Sequence, residues 1–192
     1  MKKIVIINGH PNKDSYNAAL AKAYQTGAVS AGAEVKDIAI GELAFNPNLA
    51  QGYQQRTELE PDLLEALEKI KWADHLVWIH PVWWGGLPAI TKGFIDRLFL
   101  PGIAFSYREN SVWCDKHFKG KTAHIITTLD TPSWFYKLVN SNASVNQLKV
   151  CILVFCGINK VKVTYFGPIR NSKEADRAKW LEKTKVMGIK LK

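Results

Sequence analysis

Three loops carry the residue types and spacings that could do chemistry. The first, GHPNKDSYN at 9–17, places His10, Ser15, Tyr16 and Asn17 directly ahead of a helix. Unpaired backbone amides and the positive end of a helix dipole bind phosphate or pyrophosphate at such a place, with the Ser15, Asn17 and His10 side chains as further donors. The same residues also make a plain capped turn with a surface histidine. Neither G-x-G-x-x-G nor G-x-x-x-x-G-K-[ST] occurs, which excludes a dinucleotide fingerprint and a P-loop.

The second loop lies in HPVWWGGLPAITKGFIDRLF at 80–99. Neighbouring residues of an extended chain point in opposite directions, so Trp83 and Trp84 cannot both be core, and at least one lines a cleft. Gly85 and Gly86 let the backbone approach a flat ligand, and the amides of residues 82–85 are placed to bond the polar edge of an aromatic ring system. The competing reading has the tryptophans packing a loop or a subunit interface. The third loop, TTLDTPSWFY at 127–136, again follows small polar groups with aromatics.

These loops need a frame that brings them together. Five segments read as strands: 3–9, 33–40, 75–81, 122–129 and 160–167. The first, third and fourth are nearly continuous in apolar residues, as parallel strands buried on both faces are. Helices are predicted between them at 15–31, with Asp14 or Ser15 as N-cap and Gly32 as stop, and at 58–72, 88–98, 147–155 and 172–187. This alternation specifies an α/β domain with a five-stranded parallel sheet spanning residues 1–192. Ligands of such sheets bind outside the carboxyl ends of the strands, so the three loops converge on one pocket for an aromatic, phosphate-bearing cofactor. A flavin fits that description.

Composition bounds the alternatives. The 192 residues, 47% of them hydrophobic, suffice for one core. The run Ile4 to Ile7 is too short for a signal-peptide core or a membrane span, so no membrane insertion is expected. Cys114, Cys151 and Cys156 form no C-x-x-C pair and no metal-ligand spacing, which fits a reducing cytoplasm. The net charge of +9 comes from scattered lysines and arginines, which fits a solvated basic surface that attracts phosphate-bearing cofactors rather than a nucleic-acid site. His80 and His124 fall inside strands and read as hydrogen-bonded core or sheet-edge residues rather than ligands.

The motif P-x-x-W-x-G-x-P-A-x-x-K-G-[FW] at 81–94, with GHPNKDSYNAAL, FNPNL at 45–49, FSY at 105–107 and FCG at 155–157, resembles the flavodoxin-like NAD(P)H:quinone oxidoreductase family. That family includes mammalian quinone reductases, bacterial modulators of drug activity and the ancillary reductases of potassium-efflux systems. The resemblance implies a flavodoxin-like three-layer sandwich. It also implies that His10, Ser15, Tyr16 and Asn17 hold the flavin phosphate or pyrophosphate. Pro81, Val82, Trp83, Trp84 and Gly85 would embrace the isoalloxazine ring, and Thr127, Thr128, Leu129 and Asp130 would meet its polar edge.

Two departures stand out. Leu129 and Asp130 replace a glycine pair of the family, and its active-site tyrosine and histidine are not reproduced, with Phe135 and Tyr136 near the place of the tyrosine. Tyr136 is the candidate hydrogen-bond donor to an acceptor, against its reading as an aromatic that packs a loop. By resemblance the cofactor is FAD, with FMN as the alternative, the donor NADPH or NADH, and the acceptor quinone-like. The assembly implied is a homodimer whose partner covers the flavin from around Phe45–Gln54 or Phe105–Trp113. A second implied role is a flavin-binding regulatory subunit of a potassium-efflux system.

Overall fold

In chain order the protein forms β1 (Lys3–Asn8), α1 (Tyr16–Ser30), β2 (Glu34–Ala39), α2 (Pro61–Trp72), β3 (His75–Pro81), α3 (Ala89–Leu98), β4 (Phe105–Tyr107), β5 (Cys114–Lys116), β6 (Thr122–Thr128), α4 (Ser133–Leu138), α5 (Ala143–Asn146), β7 (Lys160–Phe166) and α6 (Glu174–Ile189). The structure is a computed structural model and describes residues 1–190. Five strands pair in the order β2-β1-β3-β6-β7, every pair parallel, while β4 and β5 form a separate antiparallel hairpin.

Alternation along the central strands fills two layers. Val5, Ile7, Leu76, Trp78, Ala123 and Ile125 face α2 and α3, whereas Ile4, Ile6, Val77, Ile79 and Ile126 face α1 and α6. Burying both faces explains why these strands are apolar at nearly every position. Edge strand β2 buries little, and its sequence is correspondingly mixed. The flavodoxin-like sandwich expected above is the fold observed.

Ser15, not Asp14, caps α1, its side chain accepting from the Ala18 amide. Helices α1 and α6 pack with their backbones in contact: a Cβ on Gly27 would sit 2.0 Å from the Lys185 carbonyl oxygen, and one on Gly188 would sit 2.2 Å from that of Tyr24. At the other end of this pair the Tyr16 hydroxyl donates to the Arg177 carbonyl at 2.8 Å. Helix α1 is therefore fixed against α6 near both of its ends.

Two expectations need correction. Helix α2 begins at Pro61 rather than residue 58, because the Glu58 carbonyl and the Glu60 carboxylate are both bound by Arg97 on α3. The helix expected over 147–155 begins earlier, at Ala143, and continues as π-helix over Gln147–Val154. Helix α4 and the β4–β5 hairpin were not anticipated. No helix among the described residues is long and apolar enough to cross a membrane.

Candidate functional site

The carboxyl ends of β1, β3, β6 and β7 surround a cleft of about 190 Å³. His10, Tyr16 and Asn17 supply one wall and Pro81, Val82 and Trp83 a second. The ends of β6 and β7 close it with Thr128, Leu129, Asp130 and Ile169.

The first wall is built by short polar turns. Asn8 Oδ1 accepts the His10 amide, His10 Nδ1 accepts the Asn12 amide at 3.0 Å, and Asn12 Oδ1 accepts the Asp14 amide. With Nδ1 acting as acceptor, the neutral His10 ring carries its hydrogen on Nε2, which becomes the available donor. Burial pushes the His10 pKa down, so the ring is neutral near pH 7. Tyr16 and Asn17 open α1, where backbone amides have no intrahelical acceptor.

Asn17 is the most telling residue of the cleft. It is 3% exposed, and its Oδ1 accepts from the Thr128 hydroxyl at 2.9 Å. Its Nδ2 is buried and has no hydrogen-bond partner. An unpaired buried donor costs about 1–3 kcal/mol, a penalty that an acceptor bound in the cleft removes. A carboxamide N–H beside the N-terminus of a fifteen-residue helix suits an anionic oxygen. The donor set thus fits the phosphate end of a flavin nucleotide.

The second wall turns sharply. Trp83 N–H donates to Gly86 O at 3.1 Å and Gly86 N–H donates to Trp83 O at 2.9 Å, closing a two-residue hairpin turn with φ of 51° at Trp84 and 76° at Gly85. Such turns favour glycine and asparagine, so a tryptophan at the first central position is strained. The Trp84 ring is fully exposed, and Trp83 is partly exposed with its ring edge-on to His10 at 5.4 Å. Neither tryptophan is core, and one of them lines the cleft.

Of the four amides expected to meet a ring, two are engaged within the chain: Val82 N–H donates to Thr128 O, and Trp83 N–H closes the turn. Those of Trp84 and Gly85 remain. Trp84 and Gly85 themselves form the tip of the turn and do not line the cleft wall.

At the third wall the expected roles divide. Thr128 faces α1 and bonds Asn17, but Thr127 faces the opposite layer, where its buried hydroxyl donates to His80 O at 3.0 Å. Thr127 therefore does not reach the cleft. Leu129 borders it, yet its amide donates to Phe166 O and its carbonyl accepts from Ile169, so its backbone continues the sheet pairing instead of meeting a ligand edge. Asp130 accepts the Arg170 amide at 2.8 Å and places its carboxylate at the rim. Ser15 caps α1 and does not line the cleft.

Tyr136 is also displaced from its expected role. It is buried behind the Trp83–Gly86 turn, with its hydroxyl bonded to Gly85 O and to Ser144, so it does not face an acceptor. His80 and His124 are buried, as read from the sequence. The sequence reading missed Ile169, although the rule that strand ends carry the site, applied to the fifth strand, points to it.

A family model described as flavodoxin-like fold matches residues 2–186. The crystal structure of Smu.1420 from Streptococcus mutans UA159 superposes with a TM-score of 0.84 at 34% identity, covering 99% of this chain and 100% of that one. An uncharacterized NAD(P)H oxidoreductase of Haemophilus influenzae is 29% identical over 170 residues, 86% of this chain and 83% of that protein. NAD(P)H dehydrogenase (quinone) 1 of Rattus norvegicus is 24% identical over 181 residues, 82% of this chain, and this chain spans 65% of that longer enzyme.

Proposed function

Because the chain belongs to the flavodoxin-like fold family, we propose that it is a flavin-dependent oxidoreductase that passes two electrons from NADPH or NADH to quinone-like acceptors. One observation carries the reading: the buried, unpaired Nδ2 of Asn17, set beside the first turn of α1 in a cleft at the strand ends. Bound flavin supplies the hydride-transfer chemistry; the protein binds, orients and shields.

Asn17 Nδ2, the Tyr16 and Asn17 amides and His10 Nε2 hold the anionic end of the cofactor. Together they are enough donors for the pyrophosphate of FAD, which is the proposed form, with FMN as the alternative. Pro81, Val82 and Trp83 give the apolar wall that excludes water from the ring. The Trp84 and Gly85 amides are the donors left for its polar edge, a stabilisation of developing negative charge that needs no side-chain nucleophile. Asp130, tied to Arg170, bounds the rim with one carboxylate.

A homodimer is part of the proposal. Tyr53, Tyr107, Val112 and Trp113 are exposed, and they lie within or beside the two segments expected to cover a partner's site. The three cysteines are free thiols, in keeping with a cytoplasmic setting. A regulatory, flavin-binding role in a potassium-efflux system is supported by one feature, the withdrawal of Tyr136 from the cleft, which, with the Tyr16 hydroxyl committed to Arg177 O, leaves no free tyrosine donor in the cleft among the described residues.

The test is a visible spectrum of the purified protein, then anaerobic NADPH, then a quinone. A yellow protein that bleaches and recovers is expected. Failure to bind either FAD or FMN would overturn the reading, and a yellow protein that NADPH does not reduce would transfer support to the regulatory role.

A further inference from the structure

We propose that Tyr136 and Ser144 are positioning residues that lock the Gly85–Gly86 peptide and so hold the Trp83–Gly86 turn as a preset platform for the ring bound in the cleft. The inference rests on the flavin reading for the identity of that ring, but the lock itself belongs to the free protein.

The hydrogen-bond inventory of Tyr136 is complete. Its Oη lies 3.0 Å from Gly85 O, 2.8 Å from Ser144 N and 2.8 Å from Ser144 Oγ. A phenol has one hydrogen to give and two lone pairs to accept with. Gly85 O can only accept and Ser144 N can only donate, which assigns the directions: Tyr136 donates to Gly85 O and accepts from both the amide and the hydroxyl of Ser144. Nothing is left over for an acceptor in the cleft, and the ring is fully buried. To act as a catalytic donor Tyr136 would have to release Gly85.

The peptide it holds is fixed at both ends. Gly85 O is bound by Tyr136 and, at 3.2 Å, by the Ser144 amide, while the N–H of the same peptide, on Gly86, is bound by Trp83 O. Two adjacent glycines are the most conformationally free pair a chain can have, and the clamp removes that freedom where a flat ligand would need a fixed surface. In a trans peptide C=O and N–H point in opposite directions. Trp83 O points across the turn to Gly86, so the Trp84 amide points out of it, available to a ligand. The clamp is itself anchored, because the Asn142 amide donates to Tyr136 O and Asn142 Oδ1 accepts from Tyr165 on β7.

Tyr136→Phe keeps the ring and removes the lock. In the flavin-free protein, hydrogen exchange at the Trp83 and Gly86 amides is expected to quicken at least tenfold. Titration with FMN and with FAD should show at least a tenfold rise in Kd, with far-UV circular dichroism unchanged. Ser144→Ala retains the amide bond and should quicken exchange about threefold; if the Tyr136 variant does not fold, this smaller change decides. Unaltered exchange and flavin affinity, with a fall in kcat alone, would overturn the inference and return Tyr136 to a catalytic role. Wild-type protein that binds neither flavin would instead defeat the proposed function and leave the exchange result standing.

Discussion

The Thr128 hydroxyl donates to Asn17 Oδ1 at 2.9 Å, and that bond decides which way the Asn17 amide points. Nδ2 is left as the buried donor. Replacing the amide by a carboxylate, Asn17→Asp, substitutes a charged acceptor for this donor and should raise the Kd for FMN and FAD at least tenfold in a fluorescence titration. Thr128→Val, which frees the amide to turn over at a cost of about 1 kcal/mol, should raise it about fivefold. An Asn17→Asp protein that binds flavin as tightly as the wild type would remove this residue from the site.

Trp84 holds φ at 51° without any packing to repay the strain, since its ring is fully exposed. Trp84→Asn suits the turn and should stabilise the free protein by about 1 kcal/mol, a rise in Tm of about 2–4 °C by calorimetry. A fall in Tm would mean that the ring is covered in the native assembly.

Arg97, 1% exposed, donates to Glu60, to Glu58 O at 2.7 Å and to Asn46 O at 2.5 Å, which ties the segment holding FNPNL to α3. Glu60→Gln leaves a buried guanidinium without its counter-charge and should cost about 2–4 kcal/mol in urea unfolding. Arg97→Met removes the buried charge and leaves the half-buried Glu60 able to hydrate, so it should cost less. The reverse ranking would contradict the buried-charge argument.

Burial pushes the His75 pKa down to about 3, with Lys2, His124 and Lys162 adding to the effect, and burial pushes that of His80 down to about 4. Both rings are neutral when folded and take up protons near pH 6.5 when unfolded. The unfolded chain binds more protons below that pH, so stability is full above about pH 6.5 and falls as pH drops toward 4. Each ring contributes about 1.4 kcal/mol per pH unit. Unfolding in urea at pH 5 should therefore show about 4 kcal/mol less stability than at pH 7. For Glu60 burial acts upward and is the largest single influence, but the Arg97 hydrogen bond, the Asn46 and Glu60 amides and the Arg97 charge together outweigh it and hold the carboxyl below its ordinary range, which adds a separate loss at lower pH. A loss of about 2 kcal/mol would show that one of the histidines is hydrated, and a flat profile from pH 7 to 5 that both are.

The sheet was legible because β1, β3 and β6 are buried on both faces and must be apolar throughout. His10 and Asn17 were legible from their place between a strand and a helix. The β4–β5 hairpin was not, since three-residue strands are too short to show a period. Nor was π-helical winding over Gln147–Val154, because apolar content does not encode which carbonyl an amide selects. Thr127 and Thr128 look alike in sequence; only the sheet register shows that one faces His80 and the other Asn17. The bonds of the Tyr136 hydroxyl to Gly85 O and Ser144 were not legible either, because proximity along the chain does not reveal what a hydroxyl is bonded to.

The strand order β2-β1-β3-β6-β7 also bears on the order in which the molecule can come into being. Ile4 waits for His75 to be its neighbour, and Thr128, which follows it much later in the chain, must meet Asn17. Contacts of such long range are assembled slowly, and the cleft cannot exist until β6 is seated. A ligand of the cleft thus has nothing to bind in a partly made chain, and by binding only the finished form it withdraws molecules from unfolding and proteolysis. The cell's supply of that ligand would then govern how many copies survive as well as how fast each one works.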